Sequence, residues 1–527
     1  MTAVDDRTPK PSGERRWRAS VAGLIAAGAA IAAGEVPGAI AGQQLGPVTT
    51  VGNEFIDRFA ASLKDVAIAL FGTNDKIALV TGIVIVSLLL GAALGRLALR
   101  SFAAAAAGFG AFALVGLASG LADGSIGVLV PVLAALAGAT AGIGVLALLV
   151  AQIGRGPDIA TTLRSAGDAQ DPRIRTPDRR TFLAVGGAAG VAAVLTGAGT
   201  RSLRGRSTVD AQRASLVLPE PVRSTPVRID ALEVPGISPY ITPNADFYRI
   251  DTALVTPRVD ASSWRLRVGG LVDDPFELTF DELLEMDMVE EPVTIACVSN
   301  EVGGGLVGTA VWLGVPLVDL LERAGVQDDG TQIVGRATDG FTVGFPTNAA
   351  TDGRTALVAV GMNGEPLPAD HGYPARLIVA GLYGYVSATK WLSEIELTRF
   401  EDFDAYWVPR GWSKVAPVKT QSRIDVPNRT VDAGEVPIAG VAWAPHVGIE
   451  AVEVSIDDGP WQPAELAGTE NDDTWAQWVH RWDATPGEHT IRCRATDADG
   501  STQTAERSEP APDGATGLHI VRVTVRG

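Results

Sequence analysis

Pro292-Val293-Thr294-Ile295-Ala296-Cys297-Val298-Ser299-Asn300-Glu301-Val302-Gly303-Gly304-Gly305 opens as an apolar run, 292–298, that reads as a buried strand and ends in a glycine-rich loop. Glycines let the main chain approach a bulky ligand closely and turn N–H groups toward an anion. Cys297 stands at the junction of strand and loop. A lone cysteine is more often a packing residue than a functional one, and the glycines beside it favour the second reading. The other cysteine, Cys493, alternates with Ile491 and Ala495 along one strand face and reads as core. Two cysteines cannot supply a disulfide framework or a four-cysteine iron–sulfur or zinc site. One bridge between them would tie a loop in one domain to a core strand in another.

Around this stretch the pattern is mixed α and β, from residue 244 to about 429. Trp264, Leu266 and Val268 alternate like a half-buried strand. Thr279-Phe280-Asp281-Glu282 has the form of a capping box, opening a short helix to residue 286. A helix is expected over 315–324, and buried strands over 356–360 and 376–380. Beyond residue 430 the texture is all β: Val452, Val454 and Ile456 alternate, and Asp458-Gly459 is a hairpin turn signal. Several short strands of that kind make a sandwich of the immunoglobulin type. Residues 207–243, rich in Arg, Ser, Pro and Val without period, read as an extended linker.

The chain has 527 residues, enough for three or four folding units at about 150 residues each. Its charge is uneven. Residues 1–206 hold 19 Lys and Arg against 13 Asp and Glu, while the remainder holds 24 against 48. The acidic body disfavours a nucleic-acid partner, which needs a basic face. The first 206 residues are instead dominated by long runs of Ala, Gly, Leu and Val.

Crossing a membrane takes about 20 apolar residues. Stretches 77–95, 102–121, 126–153 and 181–199 qualify, and the Ala- and Gly-rich 19–34 is a shorter fifth candidate. Arg15, Arg16 and Arg18 precede the first, Arg96 and Arg100 follow the second, and six arginines from Arg155 to Arg180 separate the last two. The positive-inside rule puts the N-terminus in the cytoplasm and everything after the fifth span outside, against the weaker pull of Arg201, Arg204 and Arg206. Phe55, Phe59, Leu63, Val66 and Leu70 recur at helical spacing, as a helix lying on the membrane or packed on the spans. Arg179-Arg180-Thr181-Phe182-Leu183 has the form of a twin-arginine export signal, or of ordinary positive flanking. Gly142-x-Gly144-x-x-Ala147 lies within an apolar span with no preceding strand, so it is no dinucleotide site. All five histidines lie beyond residue 370 and no methionine lies in a span, so no haem held by His or Met can sit in the membrane portion, and the cofactor expectation for the chain includes no haem. No ionisable residue sits mid-span to suggest an ion path. The front reads as an anchor rather than a transporter.

Six ordered motifs of the body resemble the sulfite oxidase family of molybdenum enzymes. They are Thr242-Pro-Asn244-Ala-Asp-Phe247-Tyr248, Cys297-Val-Ser-Asn300, Gly308-Thr-Ala-Val-Trp312-Leu-Gly-Val-Pro-Leu317, Met362-Asn-Gly-Glu-Pro-Leu-Pro368, His371-Gly-Tyr-Pro-Ala-Arg376, and Gly381-Leu-Tyr-Gly384 with Ser387-Ala-Thr-Lys390-Trp391. Gly440-Val-Ala-Trp443 and Val452-Glu-Val-Ser-Ile-Asp-Asp-Gly459-Pro-Trp461 resemble the family's C-terminal immunoglobulin-like dimerisation domain. The resemblance spans about residues 240–527. It implies a multi-domain chain: about five transmembrane helices over 1–206, the linker 207–243, an α+β molybdopterin-binding domain over 244–429, and an all-β sandwich over 430–527.

By that resemblance Cys297 is the thiolate ligand of molybdenum, the other sulfurs coming from the dithiolene of one molybdopterin. Asn244, Phe247 and Tyr248 line the pterin. His371 and Arg376 hold its pyran and phosphate end, with Ser387, Thr389 and Lys390 completing the phosphate cradle. Cys297, Arg249 and Asn300 are the expected catalytic residues. The chain also departs from the family. The residue four beyond the ligand cysteine, typically arginine, is Glu301, which repels a dianion. The family's active-site tyrosine falls near Trp412. The expectation is a membrane-anchored, extracytoplasmic oxidoreductase performing two-electron oxygen-atom transfer on a small sulfur- or nitrogen-containing substrate, an oxyanion or oxide. It would work with a separate cytochrome or quinone-linked electron carrier, and pair into a homodimer through the C-terminal domain. Reduction of an S- or N-oxide, or a surface receptor retaining a decayed cofactor fold, are the alternatives.

Overall fold

A computed structural model describes residues 13–41, 46–56, 75–122, 127–153, 184, 186–197, 208–227 and 231–527. They fall into two units. In the first, α1 (Gly13–Ile40), α2 (Asp75–Ala98), α3 (Phe102–Ala122) and α4 (Leu129–Ala151) are each long and apolar enough to cross a membrane. They contain or overlap the first four expected spans. Of the fifth, a shorter apolar helix, Gly186–Gly197, is described. Arg179-Arg180 and the arginine-rich segment before them lie outside the described residues, as do Phe59, Leu63, Val66 and Leu70 of the amphipathic stretch.

Large side chains face outward on these helices, among them Val86, Leu89, Leu114, Val115, Leu136 and Leu148, while small ones fill the contacts. That is how helices pack in lipid, where apolar bulk gains nothing from burial and close backbone approach gains van der Waals contact. Gly23 of α1 meets Gly91 and Gly95 of α2. A Cβ on Gly95 would stand 2.0 Å from the Ala19 carbonyl oxygen, and one on Gly91 2.4 Å from the Ala27 Cβ. Gly95→Leu is therefore expected to force α1 and α2 apart. The cost is about 1–3 kcal/mol, read as a lower unfolding midpoint in detergent. An unchanged midpoint would show that the two helices do not depend on this contact.

The second unit runs from Thr208, apart from residues 253–256. One sheet orders Arg223–Ser224, β1 (Val289–Ala296), β2 (Val307–Pro316), β3 (Ala356–Met362) and β4 (Arg376–Val379). A second orders Phe276–Thr279, Arg265–Gly270, Leu392–Thr398, Gln332–Ala337 and Thr342–Pro346. Leu266, Val268, Val293, Ile295, Trp312, Val358 and Ile378 share one core. The capping box is made: Thr279 Oγ1 accepts from the Glu282 N–H (3.1 Å) and the Glu282 carboxylate from the Thr279 N–H (2.8 Å). The helix it opens is Phe280–Leu284. The expected helix 315–324 begins at Leu317, because residues up to Pro316 finish β2. The segment read as a linker carries a helix, Thr208–Ser215, and a strand, Arg223–Ser224, that pairs in parallel with β1. Period-based reading misses both, since one is a helix of eight residues and the other a strand of two.

The C-terminal region is a two-sheet sandwich. One sheet orders β5 (Gln421–Val426), Gly434–Trp443, Ala476–Ala484 and Glu465–Leu466; the other orders Thr430–Asp432, β8 (His519–Arg526), β7 (Gly487–Asp497), β6 (Ile449–Ile456) and Gln462–Pro463. Ile438, Val452, Val454, Trp478, Ile491 and Cys493 lie between them. The turn after β6 falls one residue earlier than the Asp-Gly signal suggests. Asp457 and Asp458 take the left-handed positions (φ 52° and 58°), and the Gly459 N–H closes on the Ile456 carbonyl (2.9 Å). Trp443 and Trp475 leave the sandwich and join the core of the preceding sheets.

Candidate active site

β1 and β2 form an antiparallel pair whose last register is Ala296 with Val307, and residues 297–306 are the loop between them. The Cys297 N–H bonds the Leu306 carbonyl (2.9 Å), and the Cys297 carbonyl accepts from the Asn300 N–H (3.0 Å). Asn300, itself buried, turns its Oδ1 back onto the Leu306 N–H (2.8 Å). Its side chain thus holds the shape of the loop that carries the cysteine. Gly303 has φ +77° and lies against the sandwich: a Cβ there would stand 2.3 Å from the His519 ring. Arg423 of β5 donates to the Gly304 carbonyl (2.8 Å). Gly303 and the Gly304 carbonyl seat the loop on the sandwich, a contact not expected from the number of glycines alone. Cys297 is 9% exposed and in no disulfide; Cys493 is buried in the sandwich and accepts from Ser422 Oγ (3.2 Å).

An aromatic shelf stands beside the thiol. Phe247 stacks on Tyr248 (centroids 5.3 Å apart) and meets Trp312 and His371 edge-on (5.9 and 5.7 Å). Burial first, then the charge of Cys297, push the Tyr248 phenol up, while Arg376 pulls it the other way. The thiol, the phenol and the guanidinium therefore share one neighbourhood. Asn244 is fixed by bonds to the Met362 carbonyl (3.2 Å), Glu365 (2.6 Å) and Asn363 (2.8 Å), and its own carbonyl meets His371 Nε2 (3.3 Å).

Arg376 begins β4 and is 3% exposed. It lies over the Trp312 ring (4.8 Å) and donates to the His371 carbonyl (3.0 Å). It makes no ion pair with a carboxylate among the described residues, and burial lowers it to about 10. Burial, then the charges of Arg376 and Lys390, push His371 down to about 4, so its ring is neutral at pH 7. Lys390 is lowered to about 8, chiefly by burial, and is held by Asp251 (3.2 Å) and the Asp370 carbonyl (2.9 Å). Arg249 joins the same network on the exposed side, reaching Asp251 and Asp370 (both 3.2 Å). Ser387 gives its hydroxyl to the Leu382 and Tyr383 carbonyls, so it shapes the main chain there. Thr389 is fully buried, its oxygen 2.5 Å from where a Cβ on Gly335 would be.

The structure thus links Asn244, Phe247, Tyr248, Arg249, Cys297, His371, Arg376 and Lys390 in one chain of neighbours, with Asn300 in the cysteine's loop and Ser387 and Thr389 in the segment before Lys390. Trp412 packs on Tyr385 and Trp407 instead (5.7 and 6.4 Å). Sequence reasoning passed over Trp312, Asp251 and Tyr383. The first and last lie inside quoted motifs, whereas nothing in the sequence marks Asp251 as the acid that holds Lys390.

Among the described residues, His371 Nδ1, Arg376 Nε and Thr389 Oγ1 are buried polar atoms with no hydrogen-bond partner. A buried guanidinium without a carboxylate, beside two other unanswered polar atoms, fits an anionic group such as a phosphate. Among the described residues no group of three or more His, Cys, Asp or Glu could hold a metal ion. A metal on Cys297 would take its other ligands from a non-protein group, and the dithiolene of a molybdopterin is of that kind.

Residues 253–407 match the family model described as the oxidoreductase molybdopterin binding domain. Human sulfite oxidase is 30% identical over 342 residues, covering 53% of this chain and 62% of that protein. The chain thus spans less than two thirds of that relative. An uncharacterized oxidoreductase of Bacillus subtilis (strain 168) is 35% identical over 153 residues, 29% of this chain and 74% of its own. A nitrate reductase of Hordeum vulgare is 34% identical over 165 residues, covering 26% of this chain and 18% of that one. Cys297, His371, Arg376 and Lys390 fall inside the matched segment, and the match together with these relatives places the chain in the molybdopterin-binding oxidoreductase family.

Proposed function

We propose that the chain is a membrane-anchored molybdenum oxidoreductase, its catalytic part outside the cytoplasm, carrying out two-electron oxygen-atom transfer on a small sulfur- or nitrogen-containing substrate. The observation that carries this reading is Arg376, a buried cation over Trp312 with its Nε unanswered and, among the described residues, no carboxylate partner. Cys297 would bond the molybdenum. Asn244, Phe247 and Tyr248 would line the pterin, and His371, Arg376, Thr389 and Lys390 would hold its phosphate end, with Ser387 shaping the main chain there. Arg249 would act through Asp251 on Lys390, and Asn300 by holding the cysteine's loop. When bound, the group would supply a centre that exchanges an oxygen atom with the substrate while two electrons pass in the opposite direction. The protein's part is to fix the thiol, exclude water with the aromatic shelf, and present cations to an anion in a low dielectric.

Glu301 is exposed four residues beyond Cys297, so an uncharged oxide suits the site better than a dianion. A separate one-electron carrier would exchange electrons with the site, and the sandwich, read as immunoglobulin-like, would pair two copies. The long apolar helices support the anchor. Metal and pterin analysis of the purified full-length protein tests the reading. Stoichiometric molybdenum with pterin is expected; a folded protein holding neither would leave a receptor with a decayed cofactor fold.

A further inference from the structure

The sandwich grips β1 and the loop after it at two places, one on each side of Cys297 in the chain. Before the cysteine, the segment 470–475 that leads into the strand Ala476–Ala484 bonds to Thr294. The Thr294 N–H meets the Asp473 carbonyl (2.9 Å), and the Trp475 N–H donates to Thr294 Oγ1 (2.8 Å). Asn471 reaches the Pro292 carbonyl (3.2 Å), and the buried Trp475 gives its ring N–H to the Tyr240 carbonyl (2.8 Å). After the cysteine, Arg423 of β5 holds the Gly304 carbonyl (2.8 Å) and the His519 ring of β8 faces Gly303. That ring is itself fixed, its Nδ1 accepting the Ile424 N–H (3.0 Å).

All three nitrogens of the Arg423 side chain are bonded. Besides the Gly304 carbonyl they reach Asp425 (2.7 Å) and the Ser238 hydroxyl (2.7 Å), and 12% of the side chain is exposed. Asp425 in turn accepts the Ser238 N–H (2.9 Å), and Gln477 donates to the Ser238 carbonyl (2.7 Å). Four residues on from Ser238 comes Thr242, whose N–H bonds the Thr309 carbonyl (2.8 Å) at the start of the segment that carries Asn244, Phe247 and Tyr248. One guanidinium therefore joins the cysteine's loop, the lead-in to the aromatic shelf and the sandwich. Its planar fork sets the angle between the groups it binds as well as their distance, which an ammonium on a flexible stem does not. Pairing two copies of the chain requires none of these bonds.

Resting on the function proposed above, we infer that Arg423 is a positioning residue: through the Gly304 carbonyl it fixes the loop that presents the Cys297 sulfur, so that the sandwich is a working part of the metal site. Groups that do not touch a metal commonly set the orientation of the ligand that does. Two variants release the loop from opposite sides. Arg423→Lys keeps a charge beside Asp425 and loses the fork. Gly303→Ala leaves Arg423 in place and drives a Cβ into the His519 ring. Empty full-length protein, made in cells without the pterin, is treated with iodoacetamide, and alkylation of Cys297 and of Cys493 is followed separately by peptide mass spectrometry. Both variants are expected to speed alkylation of Cys297 about 10-fold or more, the rise in open loop that losing one hydrogen bond to a charged group allows. Cys493, sealed in the sandwich core, should keep its rate. In part-reduced, molybdenum-loaded protein the electron paramagnetic resonance signal of the metal should shift or be lost in both variants. Wild type without molybdenum overturns the proposed function and, with it, the link from Arg423 to the metal. If wild type holds molybdenum, an unchanged rate at Cys297 in either variant, a rate at Cys493 that rises in step, or an unshifted resonance overturns the role of Arg423 alone.

Discussion

Cys297→Ser is expected to yield a folded protein that retains pterin and loses turnover by about three orders of magnitude or more, as loss of a group bonded to the reacting centre does. The fold should survive because the loop is held by the main chain and by Asn300: Cys297 contributes its N–H and carbonyl, not its sulfur, to the bonds with Leu306 and Asn300. Pterin retention follows because the proposed phosphate contacts, on Arg376 and Lys390, are untouched. What changes is the donor atom, from a soft thiolate to a hydroxyl that stays protonated at neutral pH and bonds a thiophilic metal poorly. Metal analysis, pterin fluorescence after oxidation and turnover, measured together, separate these effects. Full activity in the variant would end the assignment of the thiol to the metal. Cys493→Ser is the matched control. It puts a hydroxyl into a fully buried apolar core already holding Ser422 Oγ at 3.2 Å, and should cost about 1–3 kcal/mol of stability with molybdenum content intact. The two cysteines are thus expected to fail in opposite ways.

The contrast between them is also where sequence reading worked best. Alternation with Ile491 and Ala495 put Cys493 on the inner face of a strand, and the end of an apolar run put Cys297 at a loop, because strand periodicity is a local property. The four long apolar helices were legible for the same reason. The glycines after Cys297 were legible as unusual but not in their purpose. That Gly303 lies on His519, and Arg423 on the Gly304 carbonyl, joins positions more than a hundred residues apart, which no local pattern records. Tyr383 against Gly514 is a second such pair. The spacing of His371 and Arg376 was visible in the sequence. Its geometric consequence was not: the chain turns back after the short helix Ala369–His371, with Gly372 at φ +110°, so that Arg376 donates to the His371 carbonyl.

Arg376→Leu is expected to act with opposite sign on the empty and the loaded protein. In the empty protein the guanidinium is buried over Trp312 and answered by one carbonyl and, among the described residues, by no carboxylate, so the fold carries a charge without a counter-charge. Replacing such a charge by an apolar side chain of similar bulk is neutral or stabilising by about 1–4 kcal/mol. Protein made in cells that cannot synthesise the pterin should therefore unfold at the same or a higher temperature as the leucine variant. The loaded protein should behave in reverse. Two charge-assisted bonds to a phosphate, each about 1.5–3 kcal/mol, would be lost, and cofactor retention should fall at least about 100-fold. Arg376→Lys keeps the charge without the fork and should fall between. The pH dependence follows from the same cluster. His371 is neutral above about 4, so Arg376 and Lys390 carry the positive charge, and Lys390 loses its proton as pH rises through about 8. Cofactor uptake by the empty protein should accordingly weaken above that pH, while Arg376, at about 10, stays charged. If the leucine variant is less stable when empty and takes up cofactor normally, the guanidinium answers to something in the fold, and the phosphate site lies elsewhere.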